Sequence, residues 1–128
     1  MSEQPPVGLL LCDDMIFTSR IVGTAAGLGL SVRPARSADA LVQFAHEQRP
    51  RCVIVDLSNP GLHIADLMRR LGEIGSPRPF VVAYGSHVDT ATLQAGREAG
   101  CDIVWPRSRF VEELARALPV WLSDTGSS

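Results

Sequence analysis

Short apolar runs alternate with amphipathic segments along this chain, and the alternation predicts five strands and five helices. The apolar runs carry Val, Ile and Leu at successive positions, which is typical of strands buried on both faces of a parallel sheet. The segments between them place apolar residues on one helical face. The predicted strands are 7–12, 31–36, 52–56, 80–84 and 103–105.

The ends of several predicted helices carry recognisable signals. Ser37 can cap the second helix, and Asp89 or Thr90 can cap the fourth. The fifth helix is expected to bury an apolar stripe that Pro119 interrupts, made of Val111, Leu114, Ala115 and Leu118.

Strands that alternate with helices predict an α/β fold with right-handed crossovers and helices on both faces of the sheet. Pro34 lies within the second predicted strand. Since proline cannot donate a ladder hydrogen bond, that strand should lie at an edge of the sheet. The strand order 2-1-3-4-5 satisfies this condition. One domain over residues 7–122 is predicted, with tails at 1–6 and 123–128.

Composition agrees with a small folded domain. The 128 residues are 45% hydrophobic and carry a net charge of −2, which gives no reason to expect nucleic-acid binding through bulk charge. The amino-terminal residues lack the pattern of a signal peptide. No apolar run reaches the roughly 18 residues of a membrane span. The sequence therefore predicts a cytoplasmic protein without a membrane segment.

Three carboxylates follow predicted strands that the proposed order makes neighbours. Asp13 and Asp14 follow the first strand, and Asp56 ends the third. Two such charges at 4 Å repel by about 4 kcal/mol at an effective dielectric near 20, so a site of this kind needs a cation or a raised pKa. Oxygen ligands suit Mg²⁺, and a carboxylate can accept a phosphoryl group.

Two further side chains are expected at the same rim. Arg107 follows the fifth strand and can bind phosphate through two parallel hydrogen bonds. Ser86 follows the fourth strand and can donate its hydroxyl to a phosphoryl oxygen. Structural alternatives remain open, because aspartates after strands often cap helices, Arg107 can be a surface residue, and Ser86 can form a turn.

Three segments together resemble the motifs of response-regulator receiver domains. They are LCDD at 11–14, VIVDLSNPG at 53–61, and AGCD at 99–102 leading to Arg107. The resemblance covers the chain from Val7 to about Leu118. It implies a flavodoxin-like, doubly wound five-stranded parallel sheet.

The resemblance also implies residue roles. Asp56 would accept a phosphoryl group from a histidine kinase or phosphotransfer protein. Asp14 would bind Mg²⁺ directly, Asp13 would hold it through water, and Asp56 and the Ser58 backbone carbonyl would be further ligands. A stand-alone receiver of this kind is not an enzyme beyond self-phosphorylation and slow autodephosphorylation. It would be a monomer or weak dimer that binds a downstream protein through its fourth helix, fifth strand and fifth helix.

The chain departs from the receiver pattern in the half of the site that senses phosphate. Arg107 stands where the family has lysine, Tyr84 or Gly85 where it has Thr or Ser, and Val104 at its aromatic position. These departures motivate an alternative, a phosphorylation-independent receiver-like module in which Arg107 pairs permanently with Asp56. A phosphatase or flavin enzyme on the same fold is disfavoured, because no phosphate-cradling loop follows the first strand.

Overall fold

The computed structural model describes residues 7–75 and 77–123, and there five strands alternate with five helices. The strands are β1 Val7–Leu11, β2 Ser31–Ala35, β3 Cys52–Asp56, β4 Phe80–Gly85 and β5 Ile103–Pro106. The helices are α1 Met15–Gly27, α2 Ala38–Gln48, α3 Ile64–Ile74, α4 Thr90–Glu98 and α5 Arg107–Trp121. The predicted amino-terminal tail, and the predicted carboxyl-terminal tail beyond Ser123, lie outside the described residues.

The five strands form one sheet in the order β2-β1-β3-β4-β5, and every pair is parallel. Both the flavodoxin-like fold and the strand order are therefore confirmed. Pro34 pairs with Leu10 in the edge strand β2. An edge strand has a neighbouring strand on one side only, so the missing N–H of Pro34 leaves no second strand without a hydrogen bond.

Helices cover both faces of the sheet, so two apolar layers form. Strand residues such as Leu11 and Val55 pack against α2, α3 and α4 on one face. Leu10, Ile54 and Val82 pack against α1 and α5 on the other. Side chains alternate along a strand. Cys12, Asp56 and Tyr84, which lie two positions after these three residues, are therefore on the α1/α5 face as well.

Side-chain caps begin three of the helices. Asp14 caps α1, Ser37 caps α2 by accepting from the Ala40 N–H at 3.1 Å, and Asp89 caps α4. The Ser37 prediction is confirmed, and of the two residues predicted for α4 it is Asp89 that caps.

The prediction for α5 is wrong in two respects. Its buried residues are Phe110, Leu114, Leu118 and Trp121, whereas Ala115 is exposed and Val111 is only half-buried. Pro119 does not interrupt the helix, which continues to Trp121. Pro119 is exposed in the last turns of the helix, where it removes one helical hydrogen bond.

The carboxyl-terminal end of α5 lies against the start of β1. A Cβ atom on Gly8 would stand 3.0 Å from the buried Leu122 side chain. Glycine at this position therefore permits the close approach of helix and strand. In the described part of the chain, no helix combines the length and the apolar character needed to cross a membrane.

Candidate functional site

The carboxyl ends of β1 and β3 are neighbours, as the predicted order required. Asp56 ends β3 and is only 4% exposed, while Asp13 and Asp14 follow β1 and are exposed. The Asp56 Oδ1 atom accepts a hydrogen bond from the Ser58 N–H at 2.8 Å. Parallel sheets bind their ligands at this edge, so the structure places a buried, anchored carboxylate where a ligand would arrive.

Asp14 caps the first turn of α1. Its Oδ1 atom accepts from the N–H groups of Ile16 at 3.0 Å and Phe17 at 3.1 Å. The alternative of helix capping is therefore realised for this residue. Among the described residues no partner is found for Oδ2 of Asp14, so one oxygen of the carboxylate stays available at the rim.

Asp13 forms an ion pair with Arg36, whose Nε lies 3.5 Å from its Oδ1. Both side chains are well exposed, so solvent screens the pair and it adds little to stability. Arg36 nevertheless brings positive charge to the acidic rim.

No metal ligand set is assembled within the described ranges 7–75 and 77–123: no three His, Cys, Asp or Glu side chains lie close enough together. The donor chemistry still fits a hard cation, because the carboxylates of Asp13, Asp14 and Asp56 bring oxygen ligands to this end of the sheet. In the loop after Asp56, the Asn59 Oδ1 atom is buried without a hydrogen-bond partner. An unpaired buried acceptor of this kind is unusual, and it adds one more oxygen to the loop.

Arg107 is the first residue of α5, and its partners are aromatic rings. The guanidinium carbon lies 5.3 Å from the ring centroid of Phe17 and 6.0 Å from that of Tyr84. Among the described residues no ion pair joins Arg107 to Asp56. The permanent pair suggested for the phosphorylation-independent hypothesis is therefore not formed, and that hypothesis gains no support from Arg107.

Ser86 lies in the turn after β4 and is half-buried. Its hydroxyl oxygen accepts from the Val88 N–H at 3.4 Å. The structural alternative, a turn stabilised by a serine side chain, is thus present at this residue.

Two residues near Asp56 form contacts that were not predicted. The Cys12 sulfur lies 3.6 Å from Oδ2 of Asp56, and the Tyr84 hydroxyl donates to that sulfur at 3.4 Å. Burial raises the pKa of the Tyr84 hydroxyl, and the Cys12 contact raises it further, so this phenol stays protonated at neutral pH and can donate a hydrogen bond. The available signal was position in the sequence, since Cys12 precedes the two acids and Tyr84 is the last residue of the predicted fourth strand, one residue before the end of β4.

The site combines three chemical features. A buried carboxylate is fixed by hydrogen bonds, two further carboxylates lie at the same rim, and the guanidinium of Arg107 lies over aromatic rings nearby. A carboxylate held in this way can act as a nucleophile toward a phosphoryl group, provided that charge on the transferring group is neutralised.

The sheet order and an aspartate at the tip of the central strand are those of a receiver-type α/β domain. No family model matches the chain. The curated response regulator protein TodT of Pseudomonas putida is 26% identical over 118 residues, which is 92% of this chain and 52% of TodT. The chain thus spans about half the length of the curated relatives that it matches.

Solved structures of receiver domains are similar to this chain over most of its length. The receiver domain of Ssk1 from Saccharomyces cerevisiae, crystallised with the histidine phosphotransfer protein Ypd1, has a TM-score of 0.76 at 15% identity, with 92% and 89% of the two chains covered. A response regulator from Burkholderia pseudomallei, solved with a phosphorylated aspartic acid and calcium, has a TM-score of 0.70 at 17% identity, with 95% and 69% covered. The chain has the receiver-domain fold, and the resemblance predicted from its motifs is confirmed.

Proposed function

We propose that this domain accepts a phosphoryl group on Asp56 from a histidine kinase or phosphotransfer protein, in the presence of Mg²⁺. The observation that carries the proposal is the position of Asp56. It is buried at the carboxyl tip of the central strand and anchored by the Ser58 N–H, and it lies next to the strand that delivers Asp13 and Asp14.

Each rim residue has a task in this proposal. An Asp56 oxygen forms the new bond to phosphorus while the bond from phosphorus to the donor atom breaks. A bound Mg²⁺ would neutralise charge on the transferring group. Oδ2 of Asp14, a carboxylate oxygen of Asp56 and the Ser58 carbonyl are the atoms that would hold the ion directly, with Asp13 acting through water. Arg107 and Ser86 are the side chains proposed to meet the phosphoryl oxygens.

The partners follow from the same proposal. The similarity to Ssk1, which was crystallised with a phosphotransfer protein, supports a protein donor of the same class. A downstream protein would bind the α4-β5-α5 face, and a stand-alone monomer or weak dimer is the proposed form. As a receiver, the domain would catalyse no more than its own phosphorylation and its slow dephosphorylation.

Intact-mass spectrometry tests the proposal directly. The protein is incubated with Mg²⁺ and acetyl phosphate, with and without EDTA. A phosphoryl adduct is expected that requires Mg²⁺ and disappears in Asp56→Asn. Asp66→Asn is the matched control, because Asp66 is an exposed aspartate of α3 paired with Arg69, and it should retain the adduct.

Two outcomes would contradict the proposal. One is an adduct that persists in Asp56→Asn, which would place the acceptor elsewhere. The other is the absence of any Mg²⁺-dependent adduct with acetyl phosphate, carbamoyl phosphate and phosphoramidate, while the protein stays folded by circular dichroism.

A further inference from the structure

Three side chains from three neighbouring strands meet on the α1/α5 face of the sheet. Cys12 follows β1, Asp56 ends β3 and Tyr84 lies near the end of β4, where its Cα pairs with that of Asp56. All three are buried. They extend the apolar row of Leu10, Ile54 and Val82 by one step toward the rim.

The Tyr84 side chain reaches across β3. Its hydroxyl contacts the Cys12 sulfur at 3.4 Å, although β3 separates the strand of Tyr84 from that of Cys12. Neighbouring strands are about 4.8 Å apart, so the strands that carry Tyr84 and Cys12 are separated by about 10 Å. The phenol therefore passes over β3 on the face that carries the Asp56 side chain.

Aromatic packing holds Tyr84 in this position. Its ring stacks on Phe110 with centroids 4.5 Å apart and packs against Phe17 at 5.1 Å. The guanidinium of Arg107 lies over the rings of Phe17 and Tyr84. Moving the phenol would break these contacts, so its hydroxyl is a fixed hydrogen-bond donor to the sulfur.

The Cys12 thiol has one hydrogen and two acceptors within reach. Oδ2 of Asp56 and the main-chain oxygen of Asp14 are both 3.6 Å from the sulfur. A carboxylate is the stronger acceptor, because a charged partner strengthens a hydrogen bond. Donation from Tyr84 into the sulfur polarises the S–H bond and favours that interaction further.

We propose that Cys12 and Tyr84 are positioning residues for Asp56. Tyr84 donates to the sulfur, Cys12 donates to Oδ2, and the Ser58 N–H binds Oδ1. Because both carboxylate oxygens are held, the side chain cannot rotate, and the nucleophile meets a phosphoryl donor in one fixed orientation. The effect of this positioning on phosphoryl transfer rests on the proposed function. The chain of hydrogen bonds from Tyr84 through Cys12 to Asp56, here called the relay, exists whether or not Asp56 is phosphorylated.

Infrared spectroscopy of the S–H stretch tests the relay without any phosphodonor. The chain has three cysteines, all free thiols, and the band that disappears in Cys12→Ser belongs to Cys12. That band is expected to move to higher frequency in Asp56→Asn and in Tyr84→Phe, since each change weakens the S–H hydrogen bond. The Cys52 and Cys101 bands should stay in place. An unmoved Cys12 band in Asp56→Asn would overturn the relay.

Phosphorylation kinetics test the positioning role. Relative to the wild type, Cys12→Ala is expected to lower the rate of Mg²⁺-dependent phosphoryl uptake by about fivefold, because the donor to Oδ2 is lost. Cys12→Ser keeps a donor and should restore the rate to within about twofold. The matched control is Cys52→Ala, since Cys52 is an equally buried thiol at the opposite end of β3 and should leave the rate unchanged.

The outcomes separate the two proposals. If the Cys12 band moves as expected but the wild-type protein takes up no phosphoryl group, the proposed function fails and the relay remains. If uptake occurs and Cys12→Ala matches Cys52→Ala in rate, the positioning role is refuted while the phosphoacceptor stands.

Discussion

Asp14 shows how one side chain can serve the fold and the site at once. Its Oδ1 atom caps α1 through two backbone N–H groups, and its position after β1 points the same carboxylate to the rim. The cap and the proposed metal ligand therefore use different oxygens, and substitutions can separate them.

Asp14→Asn and Asp14→Ala should differ in stability but agree in cation binding. Asparagine caps helices about as well as aspartate, so Asn should change the free energy of unfolding by less than about 0.5 kcal/mol, whereas Ala should lower it by about 1 kcal/mol. Urea unfolding measures this difference. Both variants should lose Mg²⁺ affinity in calorimetric titration, because both remove the charged oxygen.

Equal destabilisation by Asn and Ala would show that charge at the helix terminus, rather than the Oδ1 acceptor, provides the stability of the cap. Unchanged Mg²⁺ affinity in both variants would remove Asp14 from the proposed ligand set.

At the scale of elements, α5 is the most informative helix. Its apolar stripe of Phe110, Leu114, Leu118 and Trp121 packs on β1, β3 and β4 strand residues, and the same helix begins with Arg107 at the rim. Pro119 near its end tolerates the helical φ angle but supplies no N–H to the Ala115 carbonyl. The helix is held there by packing of its neighbours in spite of the missing bond.

Pro119→Ala should stabilise the protein. The substitution restores one helical hydrogen bond and a better helix former, worth roughly 1 to 2 kcal/mol near a helix end, and the greater freedom of the unfolded chain offsets part of this gain. Urea unfolding provides the measurement. Arg116→Ala is the control, because Arg116 is exposed on the same helix and its ion pair with Glu113 is long, at 3.8 Å. If Pro119→Ala left the free energy of unfolding unchanged or lowered it, the absence of this hydrogen bond would not be what limits the stability of the turn.

At the scale of the whole molecule, an ion pair joins two connections at the edge of the sheet opposite the acidic rim. Arg78 binds Asp102 at 2.8 Å and 3.3 Å and also donates to the Gly100 carbonyl. Asp102 in turn accepts from the Val81 N–H at 2.8 Å. The segment before β4 is thereby fastened to the turn before β5.

This arrangement makes stability depend on pH. Partial burial alone would raise the pKa of Asp102, but the hydrogen bonds from Arg78 and Val81 and the Arg78 charge outweigh it and lower the pKa below its usual value. A carboxyl whose pKa is lower in the folded state stabilises the protein above its ordinary pKa, and this stability is lost as the pH falls through the folded value.

Asp102→Asn should therefore lower the free energy of unfolding near neutral pH and have a smaller effect at an acid pH below the ordinary pKa of aspartate, because the stability that the lowered pKa of Asp102 provides is lost as the pH falls. Urea unfolding at both pH values measures the difference. Glu112→Gln, at an exposed position of α5, serves as the control and should show no such pH dependence. An equal loss of unfolding free energy at both pH values would mean that Asp102 stabilises the protein through the packing of its side chain and not through its charge.

Much of the fold was visible in the pattern of residues. Buried strands such as Cys52–Asp56 are recognisable by their continuous β-branched residues. The Ser37 cap and the edge position of Pro34 follow from local chemistry. The stripe of α5 was misjudged because Val111 and Ala115 also fit helical spacing. Only packing against the sheet selects which of two adjacent faces is buried.

The candidate site divides in the same way. The sequence by itself determined that three carboxylates follow adjacent strands, because strand ends and strand order are set by local pattern and connection rules. Tertiary structure alone decided which atom each side chain meets. Arg107 lies on aromatic rings and Tyr84 crosses β3 to Cys12, since these contacts join segments far apart in the chain and depend on side-chain directions that no local pattern encodes.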